Sequence, residues 1–265
     1  MSEESQVVRI CDGELPPFWL LHPMGGNVLF GRFFAHHAPA GQAIWGIQAR
    51  GLDGRAAPFD SIPRAAAYYL SVMQQHQACG PYFLGGPSFG GNLAYEMAQL
   101  LQQQGEQVGM LALFDAFGPG YPRALPLYRR IGLHVSRALG RNAAAEPAQG
   151  VFETARVPHG EGPHVIGLRR VIRAHEHALR TFRPTPYEGR VHLFRASEAP
   201  SWDGVTFDDP TNGWGQIARG GVEVTHVPGT HQFILDPPWV DVLVREFGKA
   251  LQRAGKAAKP TTTSK

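Results

Sequence analysis

The chain has 265 residues, of which 43% are hydrophobic and 18% charged, with 25 Lys+Arg against 22 Asp+Glu for a formal charge of +3. That apolar share excludes a disordered chain, and the apolar runs are strand-sized, far short of the roughly 20 residues a bilayer span requires. No cluster of Lys and Arg interleaved with aromatics marks a nucleic-acid surface, and two cysteines, Cys11 and Cys79, are too few for a disulfide scaffold.

Short apolar runs recur along the chain, each closed by a turn signal. The first, residues 18–21, ends in His22-Pro-Met-Gly-Gly26, and the next is 44–47. A helix is predicted from Ser61 as N-cap, with Pro63 in its first turn and Ala66, Tyr69, Leu70 and Met73 along one face. Residues 82–84 form a third strand running into Gly85-Gly86. After it, 90–104 sets Leu93, Ala94, Met97, Ala98 and Leu101 at helical spacing. Strands at 110–114, 191–194 and 222–225 complete the set. Continuous apolar runs, rather than alternation, mark strands buried on both faces. The expected fold is therefore α/β, a mostly parallel sheet with helices on both faces.

The interval from 114 to 191 is too long for one crossover helix. Residues 128–139 and 167–182 read as helices flanking a Gly/Ala/Pro-rich stretch at 140–162. This insertion, 118–185, is expected to form a helical lid over the active face. Residues 1–255 read as a single domain and 256–265 as a disordered tail. The acidic start carries no apolar stretch, so no secretory signal is expected and the protein is placed in the cytoplasm. An initiating Met and a polar tail favour a free-standing protein over an excised domain.

Gly86-Pro-Ser-Phe-Gly90 fits G-x-S-x-G in the strand–turn–helix setting that the motif requires. The sharp turn would lift the Ser88 hydroxyl clear of the sheet above a helix N-terminus, which favours developing negative charge. A serine needs a base, and His231, just after the last strand, is well placed. His226 lies within a strand pattern. His175 and His177 sit on the lid helix among Arg170, Arg173 and Glu176, where an i, i+2 pair shares no face for a metal and a solvated surface is expected. Two positions compete for the acid. Asp115 ends the strand 110–114, and Asp203, with Glu198 near it, follows 191–194. An isolated carboxylate at the end of an apolar strand is costly unless it orients an imidazole, which favours Asp115. The backbone N–H groups of Phe89 and Met24 are the candidate oxyanion donors, while His22 before Pro23 reads as structuring its loop.

Taken together these residues resemble the α/β-hydrolase thioesterase domains of polyketide and nonribosomal peptide synthetases. The resemblance covers nearly the whole chain, through residues 20–26, 44–53, 80–86, 88–91, 94–97 and 111–115, then 221–229, His231 and 235–238. It implies a catalytic Ser88, Asp115 and His231, no metal and no cofactor of the protein's own. The substrate would be an acyl or peptidyl thioester on the 4′-phosphopantetheine of a carrier protein, released as acid, lactone or lactam. In that family the acid follows the strand after the nucleophile, as Asp115 does. Pro87 departs from the pattern, since an aromatic or His is more usual there; the elbow must tolerate a fixed φ and a missing donor. An editing thioesterase, with its acid after the later strand, a general carboxylesterase and a non-catalytic binding protein of the same fold are the alternatives.

Overall fold

A computed structural model describes residues 6–126, 162–200, 202 and 204–258. In chain order the elements are β1 (Val7–Cys11), β2 (Leu15–Leu21), α1 (Gly31–His36), β3 (Gln42–Ile47), α2 (Ile62–His76), β4 (Tyr82–Pro87), α3 (Phe89–Gln103) and β5 (Val108–Phe114). There follow β6 (Arg123–Ala124), α4 (Pro163–Thr181), β7 (Val191–Glu198), β8 (Val205–Thr206), a 3-10 turn (Trp214–Gln216), β9 (Val222–Thr230) and α5 (Trp239–Ala257). Seven strands form one sheet in the order β1-β3-β2-β4-β5-β7-β9. All neighbours are parallel except β1 with β3, and β6 pairs with β8 in a separate ribbon.

Alternation along the central strands feeds two cores. Phe18, Leu20, Phe83, Met110, Phe114 and Phe194 meet α1 and α5, with Phe247 edge-on to Phe18 at 4.6 Å. Trp19, Leu21, Leu84, Leu111, Leu113 and Leu193 point the other way, onto the apolar faces of α2 and α3. On α2 the buried set includes Ala66, Tyr69, Leu70 and Met73, the face that the spacing predicts. Burying both faces of each central strand is why these segments read as unbroken apolar runs.

The chain steps outward from β2 to β3, then returns to lay β4 on the other side of β2. That reversal leaves a crevice beyond the carboxyl ends of β2 and β4, the usual place for a ligand in an open α/β sheet. The loop at 22–26 and the turn at Ser88 both open into it. Of the predicted insertion, 128–139 and most of 140–162 lie outside the described residues, whereas the helix predicted at 167–182 is present as α4. α5 extends through Lys256 and Ala257, both exposed, and of the tail predicted at 256–265 the residues from 259 on lie outside the described residues. Among the described residues no helix is long and apolar enough to cross a membrane.

Candidate active site

Ser88 joins β4 directly to α3 with φ 49° and ψ −118°, a backbone region that non-glycine residues rarely occupy. The flanking glycines explain how this is possible. A Cβ on Gly86 would stand 2.7 Å from the Gly90 carbonyl carbon, and one on Gly90 would stand 2.7 Å from the Leu21 and His22 carbonyl oxygens. Strand, helix and the end of β2 thus touch backbone to backbone, and the serine is held at the apex. Pro87 fits for a register reason. The Ser88 N–H donates to the Phe114 carbonyl at 3.0 Å, on the β5 side, so position 87 faces β2. The β2 ladder ends at the Leu20–Gly85 pair, so position 87 lies beyond the paired register and a proline there breaks none of its pairs.

His231 follows the last residue of β9 and reaches back over the sheet edge. Its Nε2 lies 3.1 Å from Ser88 Oγ, and its Nδ1 lies 2.9 Å from Asp115 Oδ2. The ring is nearly enclosed: Phe117 stacks on it at 4.6 Å and Trp202 stands edge-on at 5.8 Å. His226 is exposed on β9 and Glu198 is exposed at the end of β7, opposite Thr230; Asp203 lies outside the described residues.

Asp115 also has a positive φ, 49°, and its carboxylate is almost fully enclosed. Oδ2 accepts from His231, while Oδ1 accepts from the Ala196 N–H at 3.0 Å and the Asn212 side-chain amide at 3.1 Å. Three donors satisfy a buried charge that would otherwise be costly. Asn212 is a residue that pattern does not reveal. It is buried, has φ 51°, and its carbonyl accepts the Gly118 N–H at 2.8 Å. Two residues on, Trp214 Nε1 donates to the Ala116 carbonyl at 2.9 Å. The 212–214 segment therefore clasps the turn after β5. Among the described residues Ser88, Asp115 and Asn212 are the non-glycine positions with positive φ, and all three converge here.

Two cavities meet at Ser88. One, of about 500 Å³, runs between the 117–121 loop and the end of α4, walled by Phe117, Tyr121, Leu179 and Phe182 with Arg180 and Arg183 along it. The other, of about 280 Å³, lies between the 23–25 loop and the 231–235 turn, with Met24, Pro87, Phe114, Ile234 and Leu235 as apolar lining. Met24 thus shares a cavity with Ser88 and His231, and Phe89 opens α3, where terminal amides lack helical acceptors.

The histidines of the lid helix divide. His177 is exposed as expected, but His175 is buried, a correction to the solvated reading. Its ring stacks on Phe89 at 4.4 Å and on His22 at 4.9 Å, and its Nδ1 lies 2.8 Å from the Met24 carbonyl. Positions two apart on a helix are turned by about 200°, so when one faces water the other faces inward. His22 does structure its loop, through Pro23 and Tyr69.

A family model for the thioesterase domain matches residues 16–251. Malpibaldin synthetase of Mortierella alpina is 27% identical over 91% of this chain but only 4% of its own length. Nonribosomal peptide synthetase pngA of Aspergillus terreus is 30% identical, over 94% of this chain and 29% of its own. The chain spans a small part of these curated relatives. Among solved structures, the NocB thioesterase domain in covalent complex with a fluorophosphonate nocardicin G analog superposes with TM-score 0.66 and 22% identity. That match covers 94% of this chain and 98% of that one. The fold is that of the α/β-hydrolases, and the chain belongs to the thioesterase domain family.

Proposed function

We propose that this protein releases an acyl, polyketide or peptidyl chain from the thioester that holds it on the 4′-phosphopantetheine arm of a carrier protein. The observation that carries the reading is the continuous path from Ser88 Oγ through His231 to Asp115 in a thioesterase-family chain. Relatives named as nonribosomal peptide synthetases support a carrier-bound substrate, and the covalent adduct of NocB supports a covalent step.

In this scheme His231 Nε2 takes the Ser88 proton as Oγ bonds to the thioester carbonyl carbon. The carbonyl oxygen becomes an oxyanion, met by the amides of Phe89 and Met24. Collapse breaks the C–S bond. The thiolate leaves with the proton from His231, and the acyl group remains as an ester on Ser88. Water, or a hydroxyl or amine of the chain itself, then gives its proton to His231 and attacks that ester, restoring the serine. Asp115 keeps the Nδ1–H tautomer throughout, so Nε2 is free to accept. Because the carboxylate reaching His231 is Asp115, the position the family resemblance ties to chain release, we read the enzyme as releasing rather than editing.

The test compares kcat/KM on an acyl-pantetheine thioester and its matched oxygen ester, with and without a carrier protein. Preference for the thioester, a gain on the carrier and loss of both in Ser88→Ala are expected. Equal or better turnover of simple esters, with no carrier effect, would overturn the reading in favour of a carboxylesterase.

A further inference from the structure

The 22–26 loop is held by two buried imidazoles whose hydrogen-bond partners fix their tautomers. The carbonyl of Pro23 only accepts, so His22 Nδ1, 2.9 Å away, carries the proton. Its Nε2 is then the bare nitrogen, and it receives the Tyr69 hydroxyl at 3.3 Å. That hydroxyl in turn accepts the Arg50 N–H at 3.1 Å. By the same logic His175 Nδ1 carries its proton and donates it to the Met24 carbonyl at 2.8 Å. Burial holds both rings neutral, lowering His22 to about 3 and His175 to about 4.

Consider what each bond does to the backbone. In a trans peptide the C=O and the following N–H point in opposite directions. His22 and the Gly26 N–H, at 2.9 Å, both hold the Pro23 carbonyl, and so aim the Met24 N–H the other way. His175 holds the next plane through the Met24 carbonyl. Its ring also lies flat on Phe89, 18° from parallel, directly beside Ser88. One side chain of α4, brought from 151 residues away in sequence, therefore touches both residues whose amides face the developing charge in the scheme above.

We infer that His175 is a positioning residue for the oxyanion hole: it anchors the carbonyl side of Met24, one peptide plane beyond the N–H that His22 orients, and packs on the Phe89 ring, so that the seating of α4 constrains both residues that supply the amide donors. The inference rests on the thioesterase reading, with Met24 and Phe89 as donors. Its role is indirect, because it touches no reacting atom.

The test uses His175→Phe, which keeps a flat ring on Phe89 and removes the donor, and His175→Asn, whose amide can return a donor near the Nδ1 position. Full removal of one oxyanion donor costs about 10²–10³-fold in kcat. Displacement without removal should cost less, about tenfold to a hundredfold in His175→Phe, with KM little changed. His175→Asn should recover most of that loss, and both variants should unfold at wild-type temperatures within a few degrees. The rate at which a fluorophosphonate modifies Ser88 is read in parallel, since its tetrahedral adduct needs the hole but no particular acyl chain. It should fall in the same ratio. Wild-type kcat and labelling rate in a folded His175→Phe, or a loss confined to KM, or no recovery in His175→Asn, would each overturn the inference. If the wild type labels at Ser88 yet cleaves no thioester, the substrate reading fails instead, and the labelling ratios still decide the role of His175.

Discussion

The most discriminating perturbation is Asp115→Asn, because the surroundings dictate how the new amide must sit. Oδ1 faces two donors, the Ala196 N–H and the Asn212 amide, which will accept only an oxygen opposite them. The NH2 group is therefore forced toward His231, at the 2.9 Å position where Oδ2 accepts from Nδ1. A donor there demands a bare Nδ1, so the proton moves to Nε2 and confronts the Ser88 hydroxyl with a donor where a base is needed. The backbone gains no strain, since Asn tolerates positive φ as well as Asp. The expected result is a kcat loss of about 10⁴-fold, the magnitude known for this change in a Ser-His-Asp protease. Thermal unfolding should be little altered, because two of the three hydrogen bonds survive. Single-turnover acylation, followed by mass spectrometry of the Ser88 ester, isolates the step. Retention of more than about a tenth of wild-type acylation would refute the argument, since the tautomer switch would then be irrelevant to the base. So would an equal loss in Asp203→Asn with Asp115→Asn unaffected.

Gly90→Ala drives a Cβ to 2.7 Å from two backbone carbonyls, with no flexible side chain to give way, and should destabilise by about 1–3 kcal/mol in a urea titration. Asn212→Leu removes a donor from Asp115 and places a branched side chain at φ 51°. A drop in both the unfolding midpoint and kcat is expected, with a smaller kcat loss than for Asp115→Asn. Phe114→Ala empties the centre of the α5-side aromatic cluster and should cost about 3–5 kcal/mol by the same titration. Burial keeps His22 and His175 below the ordinary histidine pKa of about 6.5, at about 3 and 4, so in that interval the unfolded chain binds protons that the folded chain refuses. Their contribution is complete above about pH 6.5 and is lost as pH falls to about 4 for His175 and about 3 for His22. The slope of the unfolding midpoint across that window should flatten in His175→Phe; an unchanged slope would count against a buried neutral imidazole.

Pattern alone reaches the six parallel strands because burial on both faces leaves a plain chemical trace in 18–21, 44–47 and 110–114. β1 escapes because, as a half-covered edge strand, it mixes Arg9 into an apolar run; α1 is a helix of only six residues with no acidic first turn or side-chain cap to announce it. The elbow is legible since its residues are consecutive, joining one strand to the next helix, although Gly90 is also demanded by the end of β2. Ser88, Asp115 and His231 are legible as candidates for a related reason: each stands at the end of a strand, and strand ends can be found. Asn212 and His175 are not, because their meaning comes from partners 97 and 151 residues away. Nothing near His175 in the sequence says that it, and not His177, turns inward.

The separation of duties between sheet and insertion bears on chimeras. Ser88, His231 and Asp115, the nucleophile, base and acid of the proposed reaction, stand on the ends of β4, β9 and β5, while α4 belongs to the segment between β6 and β7 and its end walls the larger cavity. Grafting that segment from a relative would look like a clean way to change what the enzyme accepts. Such a transplant would also exchange the ring that rests on the 22–26 loop. A donor lacking an equivalent imidazole would deliver a new substrate compartment together with a slackened reaction centre, unless that one side chain were rebuilt by hand.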